Sequence, residues 1–145
     1  MKRIILSLAV LILAAGAAFA DNDTPITVEQ LPDTARQFIA RYFPEGIVSR
    51  AKMEKEFLDK SYEVVFTNGS KVEFNGRGEW KEVNCPFTQL PEGIVPPPVK
   101  TYVAANYPDA KMVAIDYDKR DYEVKLNNGF ELKFNLQFEL MEIDD

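Results

Sequence analysis

The chain has 145 residues, with 17 basic and 23 acidic side chains, no histidine and one cysteine, for a formal charge of −6. That inventory excludes catalytic triads containing histidine, histidine zinc sites and a Cys-Cys redox pair. The acid surplus argues against nucleic acid or an anionic membrane as partner.

Lys2 and Arg3 precede an apolar run from Ile4 to about Ala18, and Ala18-Phe19-Ala20 supplies small residues for a signal peptidase. Residues 1–20 therefore read as a secretory signal peptide cleaved near Ala20, with a periplasmic or secreted product. The run is shorter than the roughly 20 residues of a spanning helix, and no later segment is a candidate, so no membrane insertion is expected after cleavage. Cleavage leaves 125 residues, Asp21 to Asp145, with 15 basic against 23 acidic groups and a formal charge of −8. Lone Cys85 cannot form an internal disulfide and reads as a small buried hydrophobe.

Residues 21–30 are polar, carry Pro25 and lack a pattern, which predicts a flexible leader. A helix begins at Leu31-Pro32-Asp33, with Ala35, Phe38, Ile39 and Tyr42 on one face, and stops at Phe43-Pro44. The next strand alternates Ser49, Ala51 and Met53 inward. A lengthened surface loop is expected over Glu54 to Lys60.

Tyr62-Glu63-Val64-Val65-Phe66-Thr67-Asn68-Gly69, followed by Val72 and Phe74, is the clearest hairpin. A two-residue Asn-Gly loop would put its apolar residues on opposite faces. A three-residue loop closing on a left-handed glycine pairs Phe66 with Ser70, Val64 with Val72 and Tyr62 with Phe74, all apolar on one side. Sixty positions later the pattern returns as Tyr122-Glu123-Val124-Lys125-Leu126-Asn127-Asn128-Gly129, with Leu132 and Phe134. There it pairs Val124 with Leu132, and on the other face Lys125 with Glu131 and Glu123 with Lys133. Gly69 and Gly129 are expected at positive φ. A last strand begins at Glu79-Trp80 and again at Glu139-Leu140. Trp80 and Val83, like Leu140 and Ile143, share a face only if a bulge intervenes.

The second helix opens at Pro96-Pro97-Pro98, carries Val99, Tyr102, Val103 and Asn106 on one face, and closes at Tyr107-Pro108. A strand with Val113, Ile115 and Tyr117 inward follows. The expected fold class is α+β: two pseudo-repeats, each a helix followed by four antiparallel strands, forming one extended antiparallel sheet with both helices on one face. They make a single domain over 31–145, with repeat one at 31–85 and repeat two at 95–145.

Catalytic chemistry is sparse. Gly76-Arg77-Gly78 lacks the strand, spacing and helix of a phosphate loop and reads as a hairpin turn. The carboxylate pairs Glu63/Glu123, Glu79/Glu139 and Glu82/Glu142 are the candidates for acid-base work, but a solvated carboxylate keeps an ordinary pKa and makes a poor acid at neutral pH. No enzyme activity and no cofactor are expected. Asp116, Asp118 and Asp121 offer hard oxygen ligands suited to calcium, although the glycine and distal glutamate of an EF-hand loop are missing and Lys119 and Arg120 lie between them. The ordinary reading is a solvated turn.

What remains is the sheet face turned away from the helices. It should carry Arg50, Lys52, Val65, Lys71 and Lys81, then Met112, Lys125 and Lys133, among acidic neighbours. These are the candidate partner-binding residues. The sequence thus points to a non-catalytic module binding an envelope protein or peptide, an inhibitor of an envelope enzyme being one form. The alternative is a calcium- or small-ligand-responsive periplasmic protein using the three aspartates.

The order Leu31-Pro32, Phe43-Pro44, Tyr62-Glu63-Val64, Asn68-Gly69, Phe74, Trp80, then Tyr107-Pro108, Tyr122-Glu123-Val124, Asn128-Gly129 and Phe134 resembles the PepSY-like family of small periplasmic bacterial proteins. The resemblance runs from about Leu31 to Asp144. It implies the fold of the β-lactamase inhibitory proteins, whose sheet engages an enzyme, and so an inhibitor or binding role by analogy. Those inhibitors carry disulfides, which this chain cannot form internally.

Overall fold

A computed structural model describes residues 23–145; the proposed signal peptide and its cleavage site lie outside the described residues. Nine strands form one antiparallel sheet, and their order across the sheet is their order in the chain. These are β1 (Asp23–Ile26), β2 (Val48–Glu56), β3 (Asp59–Phe66), β4 (Lys71–Asn75), β5 (Trp80–Asn84), β6 (Met112–Tyr117), β7 (Asp121–Leu126), β8 (Glu131–Asn135) and β9 (Leu140–Asp144). The α-helices are α1 (Asp33–Tyr42), before β2, and α2 (Pro97–Asn106), before β6, and a 3-10 turn spans Val28–Gln30.

This corrects the expected architecture of two pseudo-repeats, each a helix followed by four antiparallel strands. The class is α+β, but the sheet has nine strands with only two α-helices among the described residues. The additional strand, β1, comes from the stretch expected to be a flexible leader. It pairs Thr24 with Met53 and Ile26 with Ala51, and Ile26 packs on the core. Without β1, the outer edge of β2 would offer its amides and carbonyls to water beside a buried Ala51. The turn after β1 is closed by the Thr27 amide donating to Gln30 Oε1 at 2.8 Å.

Side-chain alternation explains the core. Ile26, Ala51, Val64, Val72, Val83, Ile115, Val124, Leu132 and Ile143 are cross-strand partners in succession, one from each strand. The six from Val64 to Leu132 are fully buried. Ala35 and Ile39 of α1 and Val99 and Val103 of α2 belong to the same buried cluster, so both helices cover this face. Edge-to-face ring pairs seat them: Phe38 on Phe74 at 5.7 Å and Tyr102 on Phe134 at 5.6 Å.

Both hairpins take the register read from the sequence. Val64 faces Val72 and Tyr62 faces Phe74, as Val124 faces Leu132 and Tyr122 faces Phe134. Gly69 and Gly129 sit at φ 91° and 99°. The bulge needed near Trp80 is present and sets Trp80 opposite Phe74 and Val83 opposite Val72. A second bulge sets Leu140 opposite Phe134 and Ile143 opposite Leu132.

Two expectations fail because of bulges, and a third because two strands run longer than expected. A bulge between Val48 and Arg50 turns Ser49 out to solvent and brings Val48 onto the core. Another, between Met112 and Ala114, pairs Met112 with core residue Leu126. Met112, expected on the outer face, therefore packs against the core cluster. The residues expected as a long loop over Glu54 to Lys60 instead extend β2 and β3 to Glu56 and Asp59, leaving only Phe57 and Leu58 at the tip.

Candidate interaction face

The face opposite the helices carries a second continuous row. Successive cross-strand partners run Pro25, Lys52, Glu63, Glu73, Glu82, Asp116, Glu123, Lys133 and Glu142. Five neighbouring strands thus place a carboxylate side by side, bounded by a lysine at each end. Directly opposed like charges repel, and cations come from Lys71 in the neighbouring row and from Lys52 at the end of this one. Lys71 Nζ lies 3.6 Å from Glu63 and 3.7 Å from Glu73, and Lys52 Nζ lies 3.1 Å from Asp23, 3.5 Å from Glu54 and 3.6 Å from Glu63.

The electrostatic consequences are readable in Glu73 and Lys71. Burial, reinforced by the facing Glu82, holds the Glu73 carboxyl above its ordinary value even though Lys71 is near. Burial pulls Lys71 down, but Glu82, Glu73 and Glu63 together outweigh it and leave the ammonium above its ordinary value. Lys52 is likewise raised: burial opposes, and its hydrogen bond to Asp23 with the charges of Glu63, Asp23 and Glu54 prevails.

The sequence-predicted partner residues are distributed as follows. Arg50, Lys81 and Lys125 are exposed; Lys81 occupies the bulge of β5, and Lys125 faces Glu131. Val65 is half-buried between Arg50 and Lys71, and Lys133 reaches Glu142 at 3.8 Å. Met112 is absent from this face. The sequence reading missed Glu82 as the centre of the row, because the pairing of Glu82 with Asp116 depends on the register between β5 and β6, whose intervening chain holds all of α2.

The three aspartates do not converge as a ligand set. Asp116 lies within the carboxylate row opposite Glu123, whereas Asp118 Oδ1 accepts from the amides of Arg120 at 2.7 Å and Asp121 at 3.1 Å, folding the turn between β6 and β7. These amides hold the Asp118 carboxyl below its ordinary value. Asp121 pairs with Asn135 in the sheet. Among the described residues no group of three or more His, Cys, Asp or Glu is arranged to hold a metal ion. Of the candidate acids, exposed Glu79 is held below its ordinary value by hydrogen bonds from Asn75 and Arg77, the wrong direction for a proton donor at neutral pH. Cys85 is buried and its thiol is pushed up by that burial, as an inert thiol should be.

Comparison with known proteins is decisive at the level of family. Residues 60–142 match the family described as "Putative beta-lactamase-inhibitor-like, PepSY-like". The chain belongs to the PepSY-like family. No curated protein matches it. Among solved structures, a "putative periplasmic protein" of Bacteroides vulgatus is 55% identical, with 88% of this chain and 100% of that one covered at a TM-score of 0.84. A "putative calcium-regulated periplasmic protein" of Bacteroides thetaiotaomicron is 54% identical over 88% and 100% of the two chains, with a TM-score of 0.85. A second B. vulgatus "putative periplasmic protein of unknown function" is 33% identical over 85% and 99%, at 0.80. These three relatives are thus described as periplasmic, and no described helix of this chain is long and apolar enough to cross a membrane.

Proposed function

We propose that this PepSY-like protein is a non-catalytic periplasmic binding module that engages an envelope protein or peptide through the outer face of its sheet. The observation that carries the reading is the uncovered row from Lys52 to Glu142, a band of carboxylates fixed by strand pairing and edged with lysines. Ordered charge on a rigid surface selects a complementary partner more than it adds raw affinity. Inhibition of an envelope enzyme is the narrower form, supported by the family's description. Export to the periplasm after cleavage near Ala20 is part of the same reading and is supported by the periplasmic relatives.

The test is capture from envelope extract by wild-type protein and by the Lys71→Glu, Lys133→Glu double variant. A partner retained by the first and lost by the second is expected. Identical captures by both proteins would refute the role of this face.

A second reading, a calcium- or small-ligand-responsive protein, draws on the description of the 54% identical relative, although Asp116, Asp118 and Asp121 are not gathered as a ligand set. Calorimetry decides it, since absence of heat at millimolar calcium removes that option.

A further inference from the structure

The two edges of the sheet are built differently. β1 is four residues long and carries Pro25, which has no amide to offer, a usual device for closing an edge. β9, at the other end, has neither proline nor lysine. Its helix-side residues Leu140 and Ile143 continue the core rows beyond Phe134 and Leu132, yet remain 37% and 46% exposed. On the outer face it ends the charged rows with Glu142 and Asp144. The apolar row therefore stops half-covered and the charged rows stop on acid.

We infer that the free edge of β9 receives an extended segment of another protein as a tenth strand, with apolar residues toward the helix side and lysine or arginine toward the outer face. Strand addition draws affinity from main-chain hydrogen bonds and specificity from alternate side chains. An apolar residue beside Ile143 completes the cover that Val83 enjoys in the centre of the sheet, where that equivalent position is fully buried. A basic residue beside Glu142 and Asp144 meets opposite charge. A second copy of this chain is the poorer occupant, because the antiparallel register that sets Ile143 of one β9 against Ile143 of the other also sets Glu142 of each strand against Asp144 of its partner. This site is the edge and shares only Glu142 with the face proposed above; protection of β9 amides reads the edge alone, so either can fail without the other.

The experiment uses ¹⁵N-labelled protein and two end-blocked synthetic peptides, one alternating valine with lysine and one alternating valine with glutamate. The Val-Lys peptide is expected to slow exchange of β9 amides by about tenfold at saturation while leaving β1 unchanged. Ile143→Lys should weaken that peptide by about tenfold, and Glu142→Lys should shift preference toward the Val-Glu peptide, a reversal that misfolding cannot mimic. Failure of both peptides to protect β9, protection confined to outer-face residues of β3 to β6, or a dimer in sedimentation dispersed by Ile143→Lys would overturn the assignment.

Discussion

Two residues at positive φ show how differently one backbone conformation can be used. Gly78, at φ 88°, closes the turn between β4 and β5 so tightly against α1 that an added Cβ would lie 2.9 Å from Pro32 Cβ and 3.0 Å from the Ala35 amide nitrogen. Gly78→Ala should therefore cost about 2 kcal/mol, combining left-handed strain with a contact that backbone cannot yield. Phe57, at φ 51°, occupies the tip between β2 and β3 and is 94% exposed. Its strain is offset by no packing, and Phe57→Gly should raise stability by about 0.5 kcal/mol. Urea denaturation of both variants checks the opposite signs. Phe138 has the same handedness at φ 66° but packs its ring 5.6 Å from Tyr122, and so has a packing reason to remain.

At the scale of the element, β4 carries the sharpest electrostatic conflict. Glu73 faces Glu63 on one side and Glu82 on the other, and its carboxyl is raised first by burial and then by Glu82. A carboxyl whose folded value exceeds its unfolded value makes the folded state hold the proton more firmly. Stability then falls as pH rises from the ordinary carboxylate value through the raised one, and the full penalty persists above it. Glu73→Gln should thus stabilise the protein at neutral pH by about 0.5 kcal/mol and flatten that descending limb. Denaturant midpoints measured across the mildly acid range read both effects, and a variant less stable than wild type at neutral pH would show that the 3.7 Å pair with Lys71 outweighs the repulsion.

Elements also differ in how much of them the sequence disclosed. The β3–β4 and β7–β8 hairpins were legible because loop length and alternation leave one register that keeps Tyr62, Val64, Val72 and Phe74 together. The bulges near Trp80 and Leu140 were legible as necessities, since aromatic and aliphatic positions three apart could not otherwise share a face. Those at Ser49 and Met112 left no such conflict in the pattern, and both residues were placed on the wrong side. β1 was missed because four residues containing a proline and two polar side chains have no periodicity of their own; they form a strand only against β2.

For the whole molecule, the join between β5 and β6 decides cooperativity. Only Glu82–Asp116, Val83–Ile115 and Asn84–Ala114 pair there. The Cys85 amide adds a hydrogen bond to the Val113 carbonyl at 2.7 Å, and the Trp80 and Tyr117 rings meet at 5.9 Å. Because the buried cluster runs through this join without interruption, the chain should unfold as one unit. Ile115→Ala is expected to lower stability by about 3 kcal/mol while preserving a single transition. Coincident fluorescence and circular-dichroism curves would verify it, whereas two separated transitions would mean that the halves hold together only weakly.

Sequence by itself determined what depends on neighbours along the chain: the helix faces, the turn glycines, the hairpin registers, the acid excess and the lack of histidine chemistry. Tertiary structure alone decided the ninth strand, the burial of Met112, the line of carboxylates through Glu82 and Asp116, and the unequal edges at β1 and β9. The ninth strand and the carboxylate line arise from pairings across long intervening segments, and the turn of Met112 arises from a bulge that leaves no conflict in the pattern, so no local periodicity records them.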